Sequence, residues 1–168
     1  MWENQVGRSE AFWKWCYPKM NEFFGERTAS LSFDDVYGGA NLVRPDFIRV
    51  EADEATYNMH IMIRFELERM MMKGDLVVAD LPEAWNQRYR DYLGIEVPND
   101  TKGCLQDIHW SMTSMGYFPT YTLGNLYCAQ FFETALEAQP DLYEQFARGE
   151  FGALKTWLNE NIHQHGKR

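Results

Sequence analysis

Apolar positions recur at helical spacing along most of this chain. The strongest run spans 51–73, where Ala52, Ala55, Met59, Met62, Phe65 or Glu66, and Met70 follow one another at intervals that share a helix face. Lys73 complements the C-terminal end of that helix, and Gly74 is its expected left-handed cap. The run Met70, Met71, Met72 reads as adaptable packing rather than a metal box. A second helix is predicted over 9–24, capped by Ser9 and closed by Gly25, with Phe12, Trp13, Cys16 and Met20 on one side. Pro18 inside it predicts a kink or a break. Asp80-x-x-Glu83, with Pro82 in the first turn, reads as a capping box opening a helix that ends at Gly94. A long helix over 121–139 carries Leu123, Leu126, Tyr127, Phe131 and Leu136 and stops at Pro140. Two shorter helices are expected over 141–148 and 151–163. Residues 26–47 mix Gly38-Gly39, Asn41 and Pro45 and read as loop with a short strand or turn. The predicted fold class is all-α, mainly helical, with at most a short strand or hairpin.

Composition narrows the function classes. The 168 residues suffice for one core, and 15% aromatic content is far above that of a disordered chain. A formal net charge of −9 argues against nucleic acid or an anionic membrane as the main partner. No apolar stretch approaches the length of a membrane span, so no membrane association is expected. The first ten residues show no basic segment followed by an apolar run, so no signal peptide is visible. Cys16, Cys104 and Cys128 are odd in number and form no CxxC pair, which fits a reducing, cytoplasmic setting.

The stretch richest in chemistry runs from Gly103 to Tyr121. Gln106, Asp107, His109 and Trp110 stand within five positions, followed by a loop with Gly116 and Pro119 and by Tyr117 and Tyr121. Polar, proton-exchanging groups beside bulky aromatics suit a lined pocket. The same cluster equally suits a buried hydrogen-bond network. Of the other histidines, His60 lies mid-helix between Tyr57 and Arg64 and reads as a packed core residue, while His163 and His165 read as solvated surface. The chain contains no HExxH pair, no GxSxG and no phosphate-binding glycine loop, so no metal ligand is assigned within it.

Two segments carry a family resemblance. Ile48-Arg49-Val50-Glu51-Ala52-Asp53 reads IRxxAD, and Gly103 to Trp110 reads GxxQDxHW. Together they resemble the two downstream signatures of the carboxypeptidase Taq family of zinc metallocarboxypeptidases. Trp2-Glu3-Asn4, the segment from Gly116 to Tyr121 and the IHxHG ending at Gly166 are similar to that family as well. The resemblance covers essentially the whole chain. It implies a mostly helical, zincin-like enzyme that works as a homodimer and removes C-terminal residues from peptides by metal-activated water attack.

The resemblance also implies what to expect outside this chain. The family's enzymes are about three times as long, and their zinc motif and third-ligand Glu lie upstream of these signatures. Residues 1–168 are therefore expected to be a single helical segment, the C-terminal part of a longer catalytic domain. Zinc belongs to the intact enzyme, and none is expected in this piece, which is expected to be inactive alone. The missing N-terminal part becomes a partner, and Phe12, Trp13, Met59 and Met62 are candidates for faces it would cover. By resemblance, Arg49 grips the free α-carboxylate of a peptide, the residue's competing role being an ion pair with Glu51 or Asp53. His109 hydrogen-bonds substrate backbone or the developing oxyanion, and Tyr121 donates to that oxyanion, with Tyr117 as the alternative tyrosine. Gln106 and Asp107 support them, Asp107 by orienting a nearby histidine, and Trp110 packs. The rival reading is a free-standing helical binding or assembly module without catalysis.

Overall fold

The computed structural model describes residues 1–166. Seven α-helices carry these residues: α1 Glu10–Phe24, α2 Phe33–Ala40, α3 Glu54–Lys73, α4 Leu81–Leu93, α5 Pro119–Ala138, α6 Leu142–Ala147 and α7 Gly152–Asn161. No strand occurs among the described residues, so the all-α reading holds and the short strand allowed for 26–47 does not form. Among the described residues no helix is long and apolar enough to cross a membrane.

The chain divides into two compact units. One joins Met1–Asn41 to the segment from Asn125 onward, and the other is Leu42–Gly124. The first begins with a π-helical turn, Trp2–Gly7, that the hydrophobic pattern did not announce. Its core is Val6, Phe132, Ala135, Leu142, Phe146, Leu154 and Leu158, drawn from that turn and from α5, α6 and α7. Helix α1 packs against α6 and α2, with Ser9 accepting from the Phe12 amide as the expected cap. The helix runs unbroken through Pro18. Pro18 and Lys14 both face solvent, so the carbonyl that the proline cannot bond is open to water.

The segment expected to be irregular instead contains α2. Ser32 accepts from the Asp35 amide while Asp35 accepts from the Ser32 amide, a complete capping box that outweighs Gly38-Gly39 later in the helix. The opposite happens at α4, where Asp80 makes no capping bond and Glu83 pairs with Arg90. Pro82 in the first turn and Gly94 in the left-handed conformation bound that helix without the box.

In the second unit α3 packs along α4 over a core of Ile63, Leu67, Leu81, Trp85, Tyr89, Leu93 and Cys104. Helix α3 starts three residues later than the apolar pattern suggests. Residues Arg49–Glu51 form a 3-10 turn, and Asp53 caps α3 by accepting from the Thr56 amide. Gly74 ends it at φ 80°, as expected. Residues 95–118 form turns without a regular helix, and this stretch lies over α3 and α4. Of the four apolar side chains expected to be uncovered, Met62 is exposed, whereas Phe12 and Met59 pack against the two cores and Trp13 is half-buried edge-on to Phe12. Leu126 and Tyr127 on α5 are more than half exposed instead.

Candidate substrate-binding site

All six sequence-derived site residues lie in the unit Leu42–Gly124. Asp107 is their centre. Its Oδ1 accepts from Arg49 Nε at 3.0 Å and Nη2 at 2.7 Å, and its Oδ2 accepts from Arg64 Nε at 2.6 Å. The ion pairs to both arginines are almost sealed from water. Burial works against the Asp107 carboxylate, but the two guanidinium groups outweigh it and hold its pKa below the usual carboxylate value. For Arg49, burial likewise opposes the charge, and Asp107 together with Tyr57 more than offsets it.

Gln106 ties the two motifs together through its amide. Its Oε1 accepts from the Arg49 amide at 2.9 Å and from Arg64 Nη2 at 2.8 Å. Its Nε2 donates to the carbonyls of Phe47 and Lys102, both at 2.9 Å. The turn that carries Arg49 is thereby fastened to the turn that carries Asp107, over 57 residues of sequence. A backbone amide and a buried guanidinium both lose their acceptor if Gln106 is shortened.

Arg49 is buried at the level of its whole side chain but not exhausted as a donor. Of its five N–H groups, Nε and one on Nη2 go to Asp107, and one on Nη1 goes to Tyr57 Oη at 2.9 Å. One N–H on each terminal nitrogen is left without a partner among the described residues. The guanidinium carbon lies over the rings of Tyr57, Phe118 and Tyr121, 5.0–5.9 Å from their centres. The alternative pairing of Arg49 with Glu51 or Asp53 does not occur. Asp53 is taken up by the Thr56 and Arg44 amides.

His109 and Tyr121 form a second polar pair beside this one. His109 Nε2 and Tyr121 Oη share a hydrogen bond of 3.0 Å. Burial raises the Tyr121 pKa, with Arg49 pulling the other way, so the hydroxyl keeps its proton. Tyr117 stacks over the His109 ring at 5.6 Å and leaves nearly half of itself exposed. Tyr121 is therefore the tyrosine bonded to the histidine. Asp107 Oδ1 lies 4.0 Å from His109 Nδ1, beyond hydrogen-bond reach, so it orients arginines rather than a histidine. Trp110 packs on the α3–α4 core and also donates its indole N–H to Glu68 at 2.8 Å.

Sequence reading passed over Arg64 and Glu68. They lie with His60 on one stripe of α3, four residues apart, and all three are buried. His60 is the packed core residue expected: its Nδ1 lies 3.0 Å from Tyr89 Oη. Tyr89 Oη in turn lies 3.1 Å from the Phe47 carbonyl, so the ring is tied through one hydroxyl to the turn that precedes Arg49. Polar residues at i, i+4 and i+8 among apolar neighbours were the available signal, because such positions stay polar in a core only where partners await them.

Among the described residues no group of three or more His, Cys, Asp or Glu stands close enough to hold a metal ion. His163 and His165 lie exposed near the C-terminus, as expected.

The IRxxAD turn is locked to the GxxQDxHW turn in a fold that is helical among the described residues, and comparison with known proteins places that combination in a family. The model of the carboxypeptidase Taq (M32) metallopeptidase family matches residues 1–168, and the chain belongs to that family. It is 49% identical over 168 residues to thermostable carboxypeptidase 1 of Thermus thermophilus, covering 99% of this chain and 32% of that protein. Carboxypeptidase 1 of Bacillus subtilis is 46% identical over 167 residues, covering 99% of this chain and 33% of its own length. The crystal structure of an M32 carboxypeptidase from Deinococcus radiodurans superposes with a TM-score of 0.93 at 44% identity, over 98% of this chain and 33% of the other. The chain thus spans about a third of the length of the relatives it matches.

Proposed function

We propose that this chain is the C-terminal part of a zinc-dependent metallocarboxypeptidase and forms the substrate-carboxylate and oxyanion side of its cleft. The observation that carries this reading is Arg49, a guanidinium fixed by Asp107, Tyr57 and Gln106 that still has an N–H on each terminal nitrogen. An N–H on each of the two terminal nitrogens can be offered to the oxygens of a carboxylate. The free α-carboxylate is the general mark that separates a chain end from an internal peptide bond. His109 and Tyr121, hydrogen-bonded to each other, then contact the scissile carbonyl, where one preorganised donor is worth about 3 kcal/mol in the transition state. Gln106 and Asp107 hold the arginine in place, and Tyr117 lines the exposed edge. Zinc and its ligands belong to the remaining two-thirds of an enzyme of the relatives' length, which is the principal partner of this chain. The intact enzyme is read as a cytoplasmic homodimer acting on peptides with a free C-terminus.

Arg49→Ala in the full-length enzyme tests the reading. A charge-assisted bond in a cleft contributes about 1.5–3 kcal/mol, so kcat/KM should fall roughly ten- to a hundredfold. Arg49→Lys should recover only part of this, because an ammonium has no fork. The wild-type enzyme should lose most of its activity on a substrate amidated at its C-terminus, and Arg49→Ala should barely distinguish acid from amide. A mutant that keeps the wild-type preference places the carboxylate elsewhere.

A further inference from the structure

The arrangement around Asp107 raises a question of charge. A carboxylate bonded to one arginine neutralises it, and a neutral pair is a poor receptor for an anion. Asp107, however, is shared. Arg64 reaches its Oδ2 at 2.6 Å, while Arg49 holds Oδ1. Two guanidinium groups against one carboxylate leave the three groups a net charge of +1, while the buried Glu68 one turn along α3 is bonded to the Trp110 indole and the Gly116 amide.

The two arginines differ in what they have left to give. Every nitrogen of Arg64 is engaged: Nε with Asp107, Nη2 with Asp107 and Gln106, and Nη1 with the His60 carbonyl at 2.8 Å. Its guanidinium carbon lies 4.5 Å from the Trp85 ring and 5.4 Å from that of Phe118, and the side chain is fully buried. Arg64 cannot touch a ligand. Arg49 keeps two N–H groups and some exposure.

We propose that Arg64 sets the charge of this site: by sharing Asp107 with Arg49 it leaves one uncompensated positive charge, which Arg49 presents to the carboxylate of a bound peptide. Asp107 can then position Arg49 rigidly without cancelling its attraction for an anion. Arg64 is a positioning residue that acts through Asp107, and the inference rests on the reading of Arg49 given above.

The test uses the full-length enzyme in metal-free form, so that binding is read without turnover. The probes are N-acetyl-dialanine and its C-terminal amide, and the readout is the ratio of their Kd values by calorimetry. Wild type should favour the acid. Arg64→Gln should lower that preference about tenfold or more, the scale of one charge lost at several ångströms in a medium of effective dielectric about 20. The double variant Arg64→Gln/Asp107→Asn restores the net charge of one and should regain most of the preference, which a purely structural role would not do. Arg64→Lys keeps the charge and should keep the preference. A folded Arg64→Gln with the wild-type ratio, or a double variant that regains nothing, overturns the proposal. Should Arg64→Gln fail to fold, a folded Arg64→Lys that has lost the preference overturns it equally. A wild-type enzyme that binds acid and amide alike defeats the carboxylate reading itself, and with it the role of Arg64.

Discussion

His60 makes the unit that holds the site sensitive to mild acid. The ring is fully buried, and its pKa falls from 6.5 to about 4, chiefly through burial and then through the charges of Arg64 and Arg49, with Asp107 and Asp46 opposing. The folded protein therefore favours the neutral ring, whereas the unfolded chain takes up a proton between pH 6.5 and 4. Stability from this residue is whole above about pH 6.5 and is lost as the pH falls toward 4. At pH 4.5 the loss amounts to about 2.5 kcal/mol by linkage from these two values. For a chain of this size that corresponds to a fall in Tm of roughly 5–10 °C. The assay is thermal unfolding by circular dichroism at pH 7 and pH 4.5, at one ionic strength, for wild type and His60→Gln. The variant starts less stable because it loses the bond to Tyr89, but its melting should depend less on pH by the stated amount. Asp107 does not blur the comparison, since its lowered pKa places its contribution below the normal carboxylate range. Equal pH dependence in the two proteins would refute the reasoning.

Three further outcomes follow from other parts of the structure. Glu68 Oε1 accepts from the Trp110 indole and the Gly116 amide, so Glu68→Ala should cost about 2–4 kcal/mol and Glu68→Gln less than half of that, by denaturant unfolding; equal losses would show that acceptance is not what matters. Gly149 lies at φ 79°, and a Cβ there would stand 2.0 Å from Trp15 Nε1, so Gly149→Ala should destabilise by more than about 1 kcal/mol, and a neutral substitution would contradict the close approach. Leu126 and Tyr127 leave an apolar face on α5, so this chain alone should self-associate in light scattering and Leu126→Gln/Tyr127→Ser should reduce it; a monodisperse wild-type monomer would refute this.

Helical class and most element ends were legible in the residues themselves. Spacing in α3, the left-handed caps Gly74 and Gly94 and the Ser9 cap are local facts, settled by neighbours within a few positions. The Ser32-Asp35 box was equally local and was masked by the glycines after it. The two motifs likewise marked Arg49, Gln106, Asp107 and His109, and the segment after them marked Tyr121, as candidates from the sequence itself. Tertiary structure alone decided who pairs with whom. The Asp80-Glu83 pattern satisfied every local condition for a capping box, yet Arg90 offered Glu83 a better partner. Asp107 lies two residues from His109 in sequence but bonds Arg49 and Arg64, 58 and 43 positions away. Hydrogen bonds and charges act over a few ångströms of space, so the residue that leaves Arg49 its surplus charge was hidden among the apolar positions of a helix until the fold brought Asp107 to it.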